Sequence, residues 1–470
     1  MPLTAEKTQA PAAHSPESSS SSSHPTIDNG SFCSEADKNL DEVVAPPPVL
    51  DRSEGYIRQH DYLENIRSST SRHSAGPGNG DEGRPEALGR HSTRGGSVRT
   101  SHHSKTLNKV INYCYLVFFA MAGTLTRIVI EVLTYYPGAP VSTSVLWANV
   151  GGSFIMGFLS EDQALFRIET HHEDESTRKH RHTVYKKTIP LYVGLTTGFC
   201  GCLTSFSTFE RDVFLALSNN LSVPVGPYSD LSILSQRGAG ALPNGGFSFM
   251  AILAVIITEV GLSLAGLKAG AHFAIFGTSW LPSIHPIYLR RFLNPLVIVL
   301  APASLIASIC LVILLPRSGG NQASWDPAIW RGAFLFSLVF APAGCLARYF
   351  LSLKLNRYIA KFPLGTFVSN LGGTMILGMA FALQHSPFGS SGLGGGSMVG
   401  CQVLQGIIDG FCGSMTTVST WVLELSDSKR GHAYVYGTVS VVVPLALLVI
   451  ELGSLRWTQE FVSPACYSNN

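Results

Sequence analysis

Hydroxyls, glycines and aromatic rings crowd two short strings, "GFCGCLTSFSTFERD" at 198–212 and "GFCGSMTTVSTWVLE" at 410–424, inside otherwise apolar stretches. The hydroxyls of Ser205, Ser207 and Thr208 are donors for an anion. A helix weakened at Gly-Phe-Cys-Gly frees backbone carbonyls able to hold a hard cation. Such a break is therefore predicted at "GFCG" in each string. Phe206 and Phe209 stand three apart on one helical face, and their ring edges carry positive quadrupole character that suits an anion, although rings at this spacing also serve as core packing. Asn149 and Asn370 bring amide donors into apolar segments, equally suited to an anion or to an interhelical hydrogen bond. Arg127 and Arg348 are costly among apolar residues, which makes a functional role or a snorkelling position the two readings. Tyr436 and Ser440, four apart, extend a line of hydroxyls on one face.

The elements that must position these groups are membrane helices. The 470-residue chain is 45% apolar and 14% charged, against about 25% charged in soluble proteins, and its mean hydropathy is +0.22. Since about 20 helical residues cross a bilayer core, nine spans are expected at about 110–134, 144–160, 188–217, 247–270, 293–315, 332–353, 363–384, 399–425 and 433–455. Residues 1–105 are rich in Ser, His, Pro and Gly and have no apolar block, so a disordered cytoplasmic tail is expected, with the first spanning helix directing insertion. The net charge of +2 says nothing of partners, and no feature points to nucleic acid. Nine cysteines, among them Cys114, Cys310 and Cys345, follow no disulfide or zinc spacing and are read as small buried hydrophobes.

An internal repeat organises the spans. "AMAGTLTRI" from Ala120 matches "APAGCLARY" from Ala341, and "WANVGGSFIMG" matches "VSNLGGTMILG", both at an offset of about 221 positions; the two opening strings match at about 212. Arg127 thus pairs with Arg348, Asn149 with Asn370, Gly152 with Gly373 and Gly157 with Gly378. Four helices repeat and one is left over, and a single crossing between two four-helix units inverts the second. The fold class is an all-α membrane protein of two inverted repeats, 106–270 and 331–457, joined by a linker with one transmembrane helix at 271–330, with a short tail at 458–470. Basic residues concentrate in the loops that would face the cytoplasm with the N-terminus inside, for example Arg178, Lys179, Arg290, Arg291, Lys354 and Lys429. That orientation puts the C-terminus outside, with the sequon Asn220-Leu221-Ser222 on the outer face and Asn29-Gly30-Ser31 inside.

Together, the small residue and arginine of the first helix, the Asn-x-Gly-Gly of the second and the "GFCGxxTTFSTF"-like third helix resemble the CrcB/Fluc fluoride channels. The linked two-repeat form resembles the eukaryotic fluoride exporters. The resemblance spans about residues 107–455. It implies a passive, two-lobed channel that lets fluoride leave the cytosol, acting as a single chain that holds both repeats in the lipid bilayer of the plasma membrane. It also implies Asn149 and Asn370 as pore amides, Phe206 and Phe209 as pore rings, and Ser207, Thr208, Ser419 and Thr420 as hydroxyls near the ion path. Arg127 and Arg348 fall at the vestibules. A structural sodium ion would lie between the halves on the carbonyls of Gly201, Thr204, Gly413 and Thr416. The second repeat departs from the pattern with Val418 and Trp421 at the ring positions, so one working pore is expected.

No enzymatic chemistry is suggested, and the spans carry no P-loop or comparable nucleotide motif. A proton-coupled antiporter remains an alternative, since Glu131, Asp212, Glu259 and Glu424 lie in or near spans. So does a non-conducting scaffold that recruits partners through its Ser-rich tail.

Overall fold

The computed structural model describes residues 97–134, 143–166, 182–221, 245–315, 331–356, 362–386 and 397–462, with a few single positions between and beyond them. The Ser-rich tail before Ser97 lies outside the described residues, as do Asn29, Ser222 and most of the longer loops. Every element among the described residues is helical, and no strand occurs among them. In chain order the helices are α1 (Ser97–Thr134), α2 (Leu146–Glu161), α3 (190–203), α4 (Phe206–Leu217), α5 (Gly245–Gly277), α6 (Pro286–Leu314), α7 (Arg331–Leu355), α8 (Leu364–His385), α9 (398–415), α10 (Ser419–Asp427) and α11 (Arg430–Thr458). Helix α1 begins in polar sequence, somewhat before the boundary expected near residue 105.

Among the described residues six helices, α1, α5, α6, α7, α8 and α11, are long and apolar enough to cross a membrane. The remaining apolar segments fall short for visible reasons. Helix α2 has 16 residues, and the segments 190–217 and 398–427 are each cut in two. The linking helix α6 carries Val299, Ile306, Ile313 and Leu314 with exposed side chains, an apolar surface suited to lipid tails.

Packing repeats from one half of the chain to the other. Helix α1 lies against α3 as α7 lies against α9, and α2 lies against α5 as α8 lies against α11. Each half-helix after a cut reaches into the opposite half as well as its own: α4 packs against α8 and α11 besides α5, and α10 against α2 and α5 besides α11. Glycines set the closest approaches. A Cβ on Gly123 would strike the Phe199 carbonyl oxygen, and one on the equivalent Gly344 would strike that of Phe411. Any larger side chain at either position would push the helices apart.

Two expectations are corrected here. The "GFCG" strings do not break their helices. They continue in wide π-type turns at Gly194–Cys200 and Ile407–Cys412, and the breaks come later, with Thr204–Ser205 extended in the first copy and Thr416 extended in the second. The cause is a tertiary hydrogen bond, described below, that withdraws the amide needed for the next helical turn. Nor are all the cysteines small hydrophobes. Cys401, at the start of α9, is disulfide-bonded to Cys466 beyond α11. Gln384 of α8 donates to the Cys401 carbonyl (3.4 Å) and to Gln405 (3.0 Å) beside the bond. Cys114 and Cys310 are free thiols, half-buried and exposed, whereas Cys200, Cys202, Cys345 and Cys412 are buried as expected.

Candidate functional site at two crossed helix breaks

Asn149 of α2 is fully buried and clasps the first break. Its side-chain oxygen accepts from the Ser205 amide (2.8 Å), and its Nδ2 faces the Ser205 carbonyl (3.4 Å). Asn370 of α8 treats Thr417 the same way, accepting from its amide (2.9 Å) and donating to its carbonyl (3.2 Å). A mid-span break strips backbone groups of partners in a place without water, and each asparagine restores two of them. The next amides are taken as well: Thr208 N donates to Ser205 Oγ (3.3 Å) and Thr420 N to Thr417 Oγ1 (3.5 Å).

The consequence falls on four carbonyls. In a continuous helix Gly201 O would accept from Ser205 N and Thr204 O from Thr208 N, with Gly413 O and Thr416 O served likewise by Thr417 N and Thr420 N. All four donors are engaged elsewhere. Among the described residues no hydrogen bond reaches Gly201 O, Thr204 O, Gly413 O or Thr416 O.

The two breaks cross and lock together. Thr204 Oγ1 accepts from the amides of Val418 and Ser419 (both 3.2 Å) and lies 3.1 Å from the hydroxyls of Thr417 and Ser419. In the mirror position, Thr416 Oγ1 accepts from the Ser207 amide and meets the Ser207 hydroxyl, each at 3.0 Å. Ser419 Oγ reaches the Cys200 carbonyl (3.2 Å). Of the hydroxyls expected near an ion path, Ser207 and Ser419 thus belong to the crossing itself. Thr208 pairs with Ser205 (2.8 Å), and Thr420 with Thr417 at the outer limit of bonding (3.5 Å).

The arginines also reach across. Arg348 Nη2 donates to the Thr197 carbonyl (2.7 Å) and Nε to that of Ser414 (3.0 Å). Arg127 donates to the carbonyl of Asp409, the position equivalent to Thr197, while its Nε and Nη1 are buried without hydrogen-bond partners among the described residues. Each guanidinium lies against a glycine of the opposite string, Arg348 at Gly201 and Arg127 at Gly413, where a Cβ would collide with it. These glycines make room for a cation, which explains "GFCG" better than a broken helix does.

The rings form a chain across both halves. Phe206 stands edge-on to Phe209 (5.5 Å between centroids) and to Trp421 (5.1 Å), and all three are buried with Val418. Phe206 is therefore shared between the half-helices of both repeats. Tyr436 of α11 donates to Glu424 (2.7 Å), whose other oxygen accepts from Thr366 (2.6 Å). Ser440, one turn on, is buried beside Tyr436.

Sequence reasoning missed two features. Thr417 and the hydroxyls of Thr204 and Thr416 build the crossing, which only the fold brings together. Glu210 is fully buried with neither carboxylate oxygen bonded among the described residues. It was visible in the aligned repeats, where Val422 stands in its place.

Two segments, 114–235 and 335–453, match the family described as CrcB-like protein, Camphor Resistance (CrcB). The chain belongs to the CrcB-like family. The two CrcB-like segments contain the two crossed breaks, both asparagines and both arginines. A relative in Neurospora crassa named Fluoride export protein 1 is 41% identical over 90% of this chain and 82% of its own length. One of the same name in Candida albicans is 35% identical over 73% of this chain and 79% of its own. A Fluoride-specific ion channel FluC of Acinetobacter baylyi is 34% identical over 26% of this chain but 90% of its own length, so it corresponds to a single CrcB-like segment. No solved structure matches.

Proposed function

We propose that this chain is a fluoride channel that exports fluoride from the cytosol. The observation that carries the proposal is the pair of crossed breaks, which place amides, hydroxyls and ring edges in the interior of a membrane protein of the CrcB-like family. The names of its relatives supply the ion. Two helix sets present these groups: α2, α5 and α10 around Asn149, and α8, α11 and α4 around Asn370. Each set takes two helices from one repeat and the half-helix of the other, so the pathways require both repeats, here supplied by one chain. Hydroxyl and amide donors replace water around a strongly hydrated anion, and the electrical potential, negative inside, drives it outward without coupled chemistry.

Nine crossings in two inverted repeats best fit the architecture. Helix α2 and the two cut segments supply the three beyond the six long helices, and the reciprocal packing of equivalent helices is what an internal two-fold axis produces. The bias of basic residues supports a cytoplasmic N-terminus. The Cys401–Cys466 disulfide favours an outer location for the start of α9 and the segment after α11, because such bonds persist in oxidising compartments. We assign the protein to the plasma membrane because export of fluoride from the cytosol clears the cell only there.

The four carbonyls without hydrogen bonds are hard oxygen donors, the kind that hold sodium. We propose that Gly201 O, Thr204 O, Gly413 O and Thr416 O bind a structural sodium ion at the crossing. The guanidiniums of Arg348 and Arg127, beside Gly201 and Gly413, are the electrostatic cost such an ion meets. Bound there, it would complete the backbone hydrogen-bonding deficit of both breaks. One route conducts in this reading, the one that combines Phe206 and Phe209 with Tyr436, Ser440 and Asn370.

The test is fluoride efflux from liposomes that hold the purified full chain, at clamped voltage and with no proton gradient. Efflux under those conditions establishes a channel. Efflux that requires a proton gradient identifies an antiporter, and none from folded protein removes the transport reading.

A further inference from the structure

The two asparagines are equivalent in sequence and in their grip on the breaks, yet their amides differ in one contact. Asn149 Nδ2 also donates to Oε1 of Glu259, a buried residue of α5. Asn370 Nδ2 meets the Thr417 carbonyl and no carboxylate among the described residues. Gly157 of α2 packs on the Leu267 backbone of α5, whereas the equivalent Gly378 of α8 packs on Glu451 and Leu448 of α11. The buried carboxyl of Glu424 bonds Tyr436 and Thr366 of the second set rather than its asparagine. One set therefore leaves its asparagine amide without a carboxyl partner among the described residues, where the other bonds it to one. Glu210 and Asp212, the acidic residues on α4, bond neither amide among the described residues.

We propose that Glu259 closes the first route to anions: its carboxyl group occupies the Asn149 side-chain donor that an anion in that route would need. An anion entering the first set would have to displace that carboxyl group from the side-chain amide of the clasp. A membrane-embedded carboxylate is costly to keep, and exclusion of a second anion path accounts for keeping it. This inference rests on the single-route reading above and assigns the residue that enforces it.

The experiment uses the full chain in fluoride-loaded liposomes with the voltage clamped by a potassium ionophore. Glu259→Ala and Glu259→Gln are each measured alone and combined with Asn370→Leu, with rates normalised to folded protein. Alone, Glu259→Ala should raise efflux, by at most about twofold because the first route lacks the phenylalanine pair. With Asn370→Leu, which should be silent by itself, Glu259→Ala should restore efflux, whereas Glu259→Gln, whose amide oxygen still accepts from Asn149, should not. Unchanged efflux for Glu259→Ala in folded protein overturns the proposal, and so does a silent, folded Asn370→Leu/Glu259→Ala chain. If Asn370→Leu alone conducts at half the normal rate, both routes are open with Glu259 intact, and the single-route reading falls with the proposal. Should Asn370→Leu fail to fold, the single Glu259→Ala variant decides alone.

Discussion

Thr204 and Thr416 exchange roles across the middle of the molecule, the hydroxyl of each accepting a backbone amide that belongs to the other's repeat. Each also donates to its own helix, Thr204 to the Cys200 carbonyl and Thr416 to the Cys412 carbonyl, both at 3.0 Å. One side chain therefore closes its own broken helix and receives the start of the next half-helix from the opposite repeat. The two repeats are joined where each is weakest.

Replacing either threonine by valine keeps the shape and removes the acceptor. It strands buried amides, Ser419 N and Val418 N in one case and Ser207 N in the other, at a cost of about 1–3 kcal/mol for each unsatisfied group. Thr204→Val should be the worse, because Thr204 accepts from two amides. Thermal unfolding of the purified protein in detergent checks the order, and a Thr416→Val protein less stable than Thr204→Val would contradict it.

Asn149 and Asn370 hold the breaks through their side-chain oxygens, so the substitution decides what is lost. Leucine at either position removes both the acceptor and the donor and should lower the yield of folded protein as well as fluoride resistance. Aspartate at 370 keeps an acceptor for Thr417 N while it removes the donor and adds negative charge. Asn370→Asp should fold nearly normally and fail to support growth in fluoride. Growth at wild-type fluoride concentrations with folded Asn370→Asp protein would remove the Asn370 amide from the conduction pathway.

Much of this was legible in the residues. Apolar length announces the long helices, and the match of Arg127 with Arg348 and of Asn149 with Asn370 announces two copies, because packing in a membrane selects small and polar residues at fixed positions. The breaks were misplaced by a few residues because local propensity points to the glycines, whereas Asn149 and Asn370, distant in sequence, decide which amides leave the helix. Gly201 and Gly413 answer to Arg348 and Arg127, partners on other helices that no spacing reveals. Cys401 and Cys466 are separated by 65 residues, and only the fold shows that they meet. The sharing of Phe206 between halves was hidden for the same reason: the motif assigns both phenylalanines to one repeat, and packing assigns one of them to both.

The disulfide gives a direct test of orientation. In intact cells a membrane-impermeant reductant followed by an impermeant thiol reagent should label Cys401 and Cys466, and labelling should vanish in a Cys401→Ser/Cys466→Ser double variant. Glycosylation at Asn220 should report the same face; its side-chain oxygen accepts from Arg456 (2.6 Å), so Arg456→Ala should not reduce glycan occupancy. Labelling that appears only after the cells are permeabilised would place the C-terminus inside and reverse the topology.

The ring chain allows packing and ion contact to be separated, because its members have unequal partners. If burial alone matters, large-to-small changes at Phe206, Phe209 and Trp421 should each cost about 2–5 kcal/mol, with Trp421 the most damaging. If ring edges replace the water around fluoride, Phe206→Ile and Phe209→Ile should stop efflux with little loss of folded protein, since isoleucine keeps much of the volume and none of the quadrupole. Val418→Ile adds one methylene at a buried position and should leave conduction unchanged. The contact between Phe206 and Trp421 adds a sharper expectation. Trp421→Phe preserves an edge-on neighbour for Phe206 and should conduct, whereas Trp421→Leu removes it and should weaken conduction in step with Phe206→Ile. Efflux from liposomes, normalised to folded protein recovered, measures all five. Equal losses at 418 and 206, or undiminished efflux with both phenylalanines replaced, would leave the aromatics as packing and return the selection of fluoride to the hydroxyls and amides alone.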